Sequence, residues 1–209
     1  MIPARILAVA LLAAISLAVT PVLSDAASRS CAVDGIEGVD ARAWHGGLWM
    51  PLAVGISVPS EAKIATGLDS RVNIRCDDGI TVTIGPGTEV NLERLVGPSG
   101  PESSTIVQLV RGIVGIIAPN GTWGLFQVRT PVAIASVRST EWLVEHGDID
   151  GTAVFVRKGV VEVDSDGNAV SLAPGDGITI SRTRAMSQVK QWGAERIARS
   201  GGALGFGWK

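Results

Sequence analysis

The side chains best equipped for acid–base, nucleophilic or metal chemistry in this 209-residue chain are two histidines and two cysteines. His45 and His146 stand about a hundred positions apart, and neither has a second ligand at metal-type spacing. No His-x-His or His-Glu-x-x-His occurs. His146 follows Glu145 and precedes Gly147, the setting of a solvated turn. His45, beside Trp44, reads as a surface or packing residue. No Gly-x-Ser-x-Gly elbow presents a serine, and Ser136 and Ser139 sit between strand-like runs without nucleophile features. The acidic phrases Asp148-Ile149-Asp150-Gly151 and Asp164-Ser165-Asp166-Gly167-Asn168 each hold part of a calcium loop but lack its third oxygen residue and its closing glutamate. Asp-Gly is also a common hairpin phrase, so both read as turns. These residues point to no catalytic constellation, no metal and no cofactor.

Cys31 and Cys76 are too few for a cysteine-rich zinc site. In an oxidising compartment they could pair and close a loop of about 45 residues, which the chain-entropy treatment values at about 4 kcal/mol. The alternative is two unrelated buried thiols. Six tryptophans are the other conspicuous resource. Trp44, Trp49, Trp192 and Trp208 are the candidate ligand or partner contacts, since an exposed indole can stack on a sugar or anchor a protein. Trp123 and Trp142 read as packing.

These residues must be positioned by a chain with 26 glycines, no tyrosine, and 18 basic residues against 20 acidic ones. A net charge of -2 gives no basic field for nucleic acid. Met1 to about Ala26 has the form of a secretory leader: Arg5, an apolar run from Ile6 to Val19, Pro21, then small residues at Ser24-Asp25-Ala26. The run is short of the roughly 20 residues that span a bilayer. Membrane attachment would therefore come only through an uncleaved leader, and the expected location is periplasmic or secreted.

Beyond the leader the pattern has period 2, the sign of half-buried strands. Val72, Ile74 and Cys76 alternate with Arg71, Asn73 and Arg75, and Ile80, Val82 and Ile84 follow the Asp77-Asp78-Gly79 turn. Pro51 to Val58 reads as another short strand and Val96 to Ser104 as the longest loop. Ile106 to Ile117 reads as a buried strand pair split at Gly112 or Gly115. Further strands fall at 123–129, 132–137, 141–145, 152–157, 160–163, 169–172 and 178–181. Asp78–Gly87 is echoed by Asp166–Gly175, which reads either as a phrase that any Gly-punctuated β chain repeats or as the mark of similar halves that stack. Met186, Val189, Gly193 and Ile197 share one helical face, with Trp192 beside it, and Gly201-Gly202 should stop that helix. Such a helix would cap an open end of the strands; a partner-binding helix is the other reading. The organisation expected is a signal peptide over 1–26, a linker or N-terminal arm over 27–43, a β domain over 44–183, and a helix with a Gly-rich tail over 184–209.

The ordered series Leu52, Gly55, Ile64, Thr66-Gly67, Ser70-Arg71, Ile74, Asp78-Gly79, Val82, Ile84-Gly85-Pro86, Thr88, Leu92 resembles the first half of a FecR-type domain. Phe126, Val128, Thr130-Pro131, Val137-Arg138, Thr140-Glu141-Trp142, Gly159, Val161, Val163 and Pro174-Gly175 resemble its second half. The resemblance runs from about Trp49 to Ile180, with Ser139 standing where glycine is usual. It implies an all-β fold, a solenoid-like or curled β-sandwich of many short strands, here followed by a short C-terminal helix. It also implies a periplasmic role in signalling or scaffolding without catalytic residues. The best-known members relay the state of an iron-siderophore receptor to a cytoplasmic anti-sigma segment. Only four residues precede Arg5, so no such segment is expected here. The partner expected is another cell-envelope protein, met through an exposed strand edge or the C-terminal helix and tail. A glycan- or peptidoglycan-associated module using tryptophan faces is the alternative, and an enzyme is the least supported reading.

Overall fold

The computed structural model describes residues 28–119, 124–137 and 140–208, with only the backbone at His45. The leader, residues 120–123 with Trp123 among them, and residues 138–139 with Ser139 among them lie outside the described residues. In chain order the strands are β1 (Ser28–Arg29), β2 (Cys31–Glu37), β3 (Ala41–His45), β4 (Leu48–Pro51), β5 (Ala62–Thr66), β6 (Arg71–Cys76), β7 (Thr81–Ile84), β8 (Glu89–Leu92) and β9 (Gly97–Pro98). They continue with β10 (Ser104–Ala118), β11 (Leu125–Arg129), β12 (Ile134–Val137), β13 (Thr140–Gly147), β14 (Gly151–Lys158), β15 (Val161–Ser165), β16 (Asn168–Leu172), β17 (Asp176–Ile180) and β18 (Lys190–Gln191). Helix α1 (Ala194–Leu204) and a 3-10 turn (Phe206–Trp208) close the chain.

β10 organises the strands. Its second half pairs with β7 and β13, giving a first sheet in the order β2-β6-β7-β10-β13-β14-β17-β18. Its first half pairs with β8 and, in parallel, with β11, giving a second sheet in the order β4-β3-β5-β8-β10-β11-β12-β15-β16. The strand changes sheet near Gly112, whose φ of 97° is left-handed backbone that a side chain would strain. Ile106 to Ile117 is thus one bent strand rather than a strand pair. Hairpins fall alternately on the two sheets: β3–β4 on the second, β6–β7 on the first, β11–β12 on the second, β13–β14 on the first, β15–β16 on the second. This is the all-β, solenoid-like sandwich expected, and no helix long and apolar enough to cross a membrane occurs among the described residues.

The period-2 patterning explains the main core. Val72, Ile74, Val82, Ile84, Val114, Ile116, Trp142 and Val144 point inward from the first sheet and meet Ile64, Val90, Leu92, Leu109, Phe126 and Val128 of the second. Trp142 is wholly buried, edge-on to Phe126 with ring centroids 5.3 Å apart. Each large apolar side chain buried this way contributes roughly 1.5–3 kcal/mol of transfer free energy.

Other expectations are corrected too. Residues 28–43 are not a linker: β2 and β3 are built into the two sheets, because Val33 and Ala41 carry the inward face. Pro51 ends β4, and the residues after it turn at Gly55 instead of running on as a strand. The loop from Val96 contains β9, which pairs with β1. The helix begins at Ala194, later than its apolar periodicity suggested, and runs through Gly201-Gly202. Met186 and Val189 instead pack on the main core. Gly201 is retained inside the helix because a Cβ there would lie 2.6 Å from the Trp208 carbonyl oxygen.

Nor does the helix cap an end of the sandwich. It lies across the outer face of the first sheet, where Leu204 and Trp208 cover Ile113, Leu143 and Phe155. Gly115 makes room for it, since a Cβ there would come within 2.7 Å of both Trp208 and Leu204. Arg71 donates to the Ala203 carbonyl, Arg157 to the Gly207 carbonyl at 3.0 Å, and Ser200 to the Glu145 carboxylate. The Arg157 guanidinium also sits 4.4 Å over the Trp208 ring. The echoing phrases fall in different settings, β7 in the buried middle of the first sheet and β16 on the exposed edge of the second.

Candidate partner-docking edge

β4 is the last strand of the second sheet, and among the described residues no strand pairs with its outer side. The Gly46-Gly47 pair supplies the two-residue turn that joins it to β3. The amide of Leu52 donates to the Ala41 carbonyl directly opposite, at 2.8 Å. Bonded and non-bonded pairs alternate along an antiparallel ladder, so Ala43–Met50 and His45–Leu48 are the other bonded pairs. The main-chain groups of Trp49, and the carbonyl of Pro51, therefore face away from β3.

Apolar side chains surround this edge. Trp44 is 41% exposed, Leu48 67%, Met50 51%, Val54 60% and Ile56 46%. Beside them the sandwich opens into a groove of about 570 Å³ lined by Val33, Trp44, Met50, Leu52, Ile56 and Val58 among others, with no charged residue in its wall. The facing edge of the first sheet is covered. Val33 donates to the Ile56 carbonyl at 2.9 Å, Gly55 to that of Val33 at 2.8 Å, and Val58 to that of Cys31 at 2.9 Å, so the segment after β4 straps β2. Cys31 and Cys76 form a disulfide that ties β2 to β6 beneath the strap.

The four tryptophans singled out in the sequence separate into two groups. Trp44 and Trp49 meet at the β4 edge, ring centroids 5.5 Å apart and planes at 70°. Trp192 stacks on Phe155 at 4.8 Å under the Arg196 guanidinium, and Trp208 is buried against Gly115. Those two are packing residues of the helix and tail. Leu48, Met50 and Ile56 were missed. Their signal was present in an uncharged, apolar hairpin immediately after a Gly-Gly turn, but a strand edge is identified only once pairing is known.

His146 is corrected from a solvated turn residue to a buried one, because β13 continues past Glu145 and turns His146 inward. Its Nδ1 lies 2.9 Å from the Thr152 hydroxyl, which lies 2.8 Å from that of Thr130. Burial pushes the His146 pKa below its usual value, opposed by the Asp148 carboxylate and by a backbone bond with Gly151. A histidine beside a hydroxyl has the composition of a base and a nucleophile, yet Thr152 has no exposed surface for a substrate to reach. The arrangement orders the ends of β13 and β14. No cluster of three potential metal ligands occurs among the described residues.

Residues 62–162 match the FecR protein family. Over that span the chain is similar to a FecR domain. Two crystal structures of a candidate anti-sigma factor from Parabacteroides distasonis share its fold, at 21% and 22% identity and a TM-score of 0.55. Each alignment covers 65% of this chain and 62% of the other, so less than two thirds of that protein is represented here. No curated protein matches the chain. The family match spans β5 to β15, so the β3–β4 hairpin and the C-terminal helix both lie outside it.

Proposed function

We propose that this FecR-like protein is a non-enzymatic signalling or scaffold module of the cell envelope, exported by the leader at residues 1–26. It acts by accepting a protein strand at the β4 edge. The observation that carries this reading is the edge itself: outward main-chain groups at Trp49 and Pro51, flanked by exposed apolar side chains and an uncharged groove. Exposed, uncharged edge strands invite pairing, and proteins that do not use such edges blunt them with charge or cover them. A disulfide suits an oxidising compartment. The C-terminal tail is the weaker docking candidate, because its own Leu204 and Trp208 are buried against the first sheet. A sugar platform is less well supported, because the two edge indoles stand at 70° to each other rather than side by side.

Crosslinking in intact cells, followed by mass spectrometry of the tagged protein, tests this. Leu48→Lys with Met50→Lys should abolish the captured protein while the melting temperature holds. Capture that survives this change overturns the edge assignment, and capture of cell-wall fragments alone favours the glycan reading.

A further inference from the structure

We infer that the strand fitting this edge is β4 of a second copy, so that two molecules join their second sheets across a twofold axis beside Trp49. The inference rests on the reading of β4 as a protein-docking edge and names the occupant. The argument is one of self-complementarity. The Trp49 amide and carbonyl both face outward. An antiparallel twofold contact centred on Trp49 brings each amide to the other copy's carbonyl, closing a reciprocal two-bond pair. In that register Leu48 of one copy faces Met50 of the other, and the reverse, and such directly opposed pairs are the unit of sheet stabilisation. These are among the more exposed apolar side chains of the molecule, at 67% and 51%.

Other registers fit worse. Moving the pairing by two residues sets Trp49 opposite either Pro51, which has no amide to give, or Gly47, which lies in the turn outside β4. Moving it by one turns the apolar side chains to the wrong face. Charge offers no obstacle, since the nearest charged side chains on the hairpin, Asp40 and Arg42, neutralise each other at 2.9 Å. The contact is isologous, so it closes at two copies and does not propagate. Four residues a side make a small interface, and the association belongs with weak, reversible contacts below the roughly 1,200 Å² of standard ones.

The test uses the exported protein. Cys31 and Cys76 are joined and no free cysteine exists among the described residues, so Trp49→Cys introduces a single reactive thiol. Mild oxidation in intact cells should give a covalent dimer for Trp49→Cys and none for Ile149→Cys, an exposed control on the turn between β13 and β14. Sedimentation velocity of the otherwise unaltered protein should show a concentration-dependent dimer. Leu48→Lys with Met50→Lys, which opposes like charges in the twofold register, should weaken it by more than roughly tenfold at an unchanged melting temperature. A monomer at every concentration with no Trp49→Cys crosslink overturns the inference, as does a dimer that survives the lysine pair. A photocrosslinker at Leu48 separates this from the broader reading. Crosslinks only to a different envelope protein overturn the second-copy inference and leave the docking edge standing, whereas crosslinks to nothing overturn both.

Discussion

The first sheet buries Ile113, Leu143 and Phe155 on its outer face under Leu204 and Trp208, whereas the second sheet leaves Leu48 and Met50 in solvent at β4. The same contrast holds between two neighbouring edges, for β2 is strapped by the segment after β4 while β4 is bare. Both the covering helix and the bare hairpin lie outside residues 62–162, on opposite sides of the matched span. The chain can evidently cover apolar surface where it carries a segment to do so. Leaving one uncharged edge open beside an apolar groove is therefore informative about use, since exposed contiguous apolar surface on a folded domain marks contact sites.

The largest expected effect comes from loosening the covered edge. The Cys31–Cys76 disulfide closes a sequence separation of 45 residues. Cys31→Ala with Cys76→Ala should cost about 4 kcal/mol in denaturant unfolding. A loss near zero would mean that the strap holds β2 without the crosslink. Next is the covered face. Leu204→Ala removes a fully buried side chain and should cost about 3 kcal/mol, lowering the melting temperature by roughly 10 °C. A change within 1 °C would mean that the helix is only loosely held, and the contrast between covered and bare surface would collapse.

Legibility in the sequence followed the range of the interactions. Strands with a half-buried period, such as Arg71–Cys76 and Thr81–Ile84, and the turns at Asp77-Asp78-Gly79 and Asp150-Gly151 were plain, because strand alternation and turn chemistry are local. The family resemblance was plain for the same reason, being carried by the order and spacing of those strands. The bend of β10 was half legible: Gly112 was one of two breaks considered, and only the pairing of each half with different strands shows a change of sheet. The helix was misplaced because Gly201 and Gly202 suit a stop locally, while close packing of Gly201 on Trp208 overrides that preference. The open edge was legible only as an apolar hairpin after Gly46-Gly47, since nothing local tells whether another strand covers Leu48 and Met50.

A smaller effect concerns pH on the covered side. His146 sits beside Thr152, in a hollow bordered by Glu145, Asp150 and the helix residue Arg196, with Asp148 close by. Burial holds its pKa below the ordinary 6.5, so as pH falls the unfolded chain takes up this proton before the folded one does. The neutral ring's contribution to stability is therefore complete above about pH 6.5 and declines below it. His146→Gln should lower stability at pH 8 and flatten the loss between pH 7 and 5 relative to the unaltered protein. Parallel pH curves for the two proteins would show that His146 is protonated as easily when folded as when unfolded.

The smallest expected effect on stability is the one that separates the two regions most sharply. Leu48→Ser alters a side chain 67% exposed on the free strand, with little packing to lose. Surface changes of this kind usually stay within about 0.5 kcal/mol, against about 3 kcal/mol for the leucine under the helix. If function and stability are divided as the two surfaces suggest, Leu48→Ser should weaken capture at the edge while leaving melting untouched, and Leu204→Ala should do the reverse until the fold itself is lost. Equal losses of stability at both positions would mean that Leu48 is held by something that covers it, and the open edge would then be a buried one.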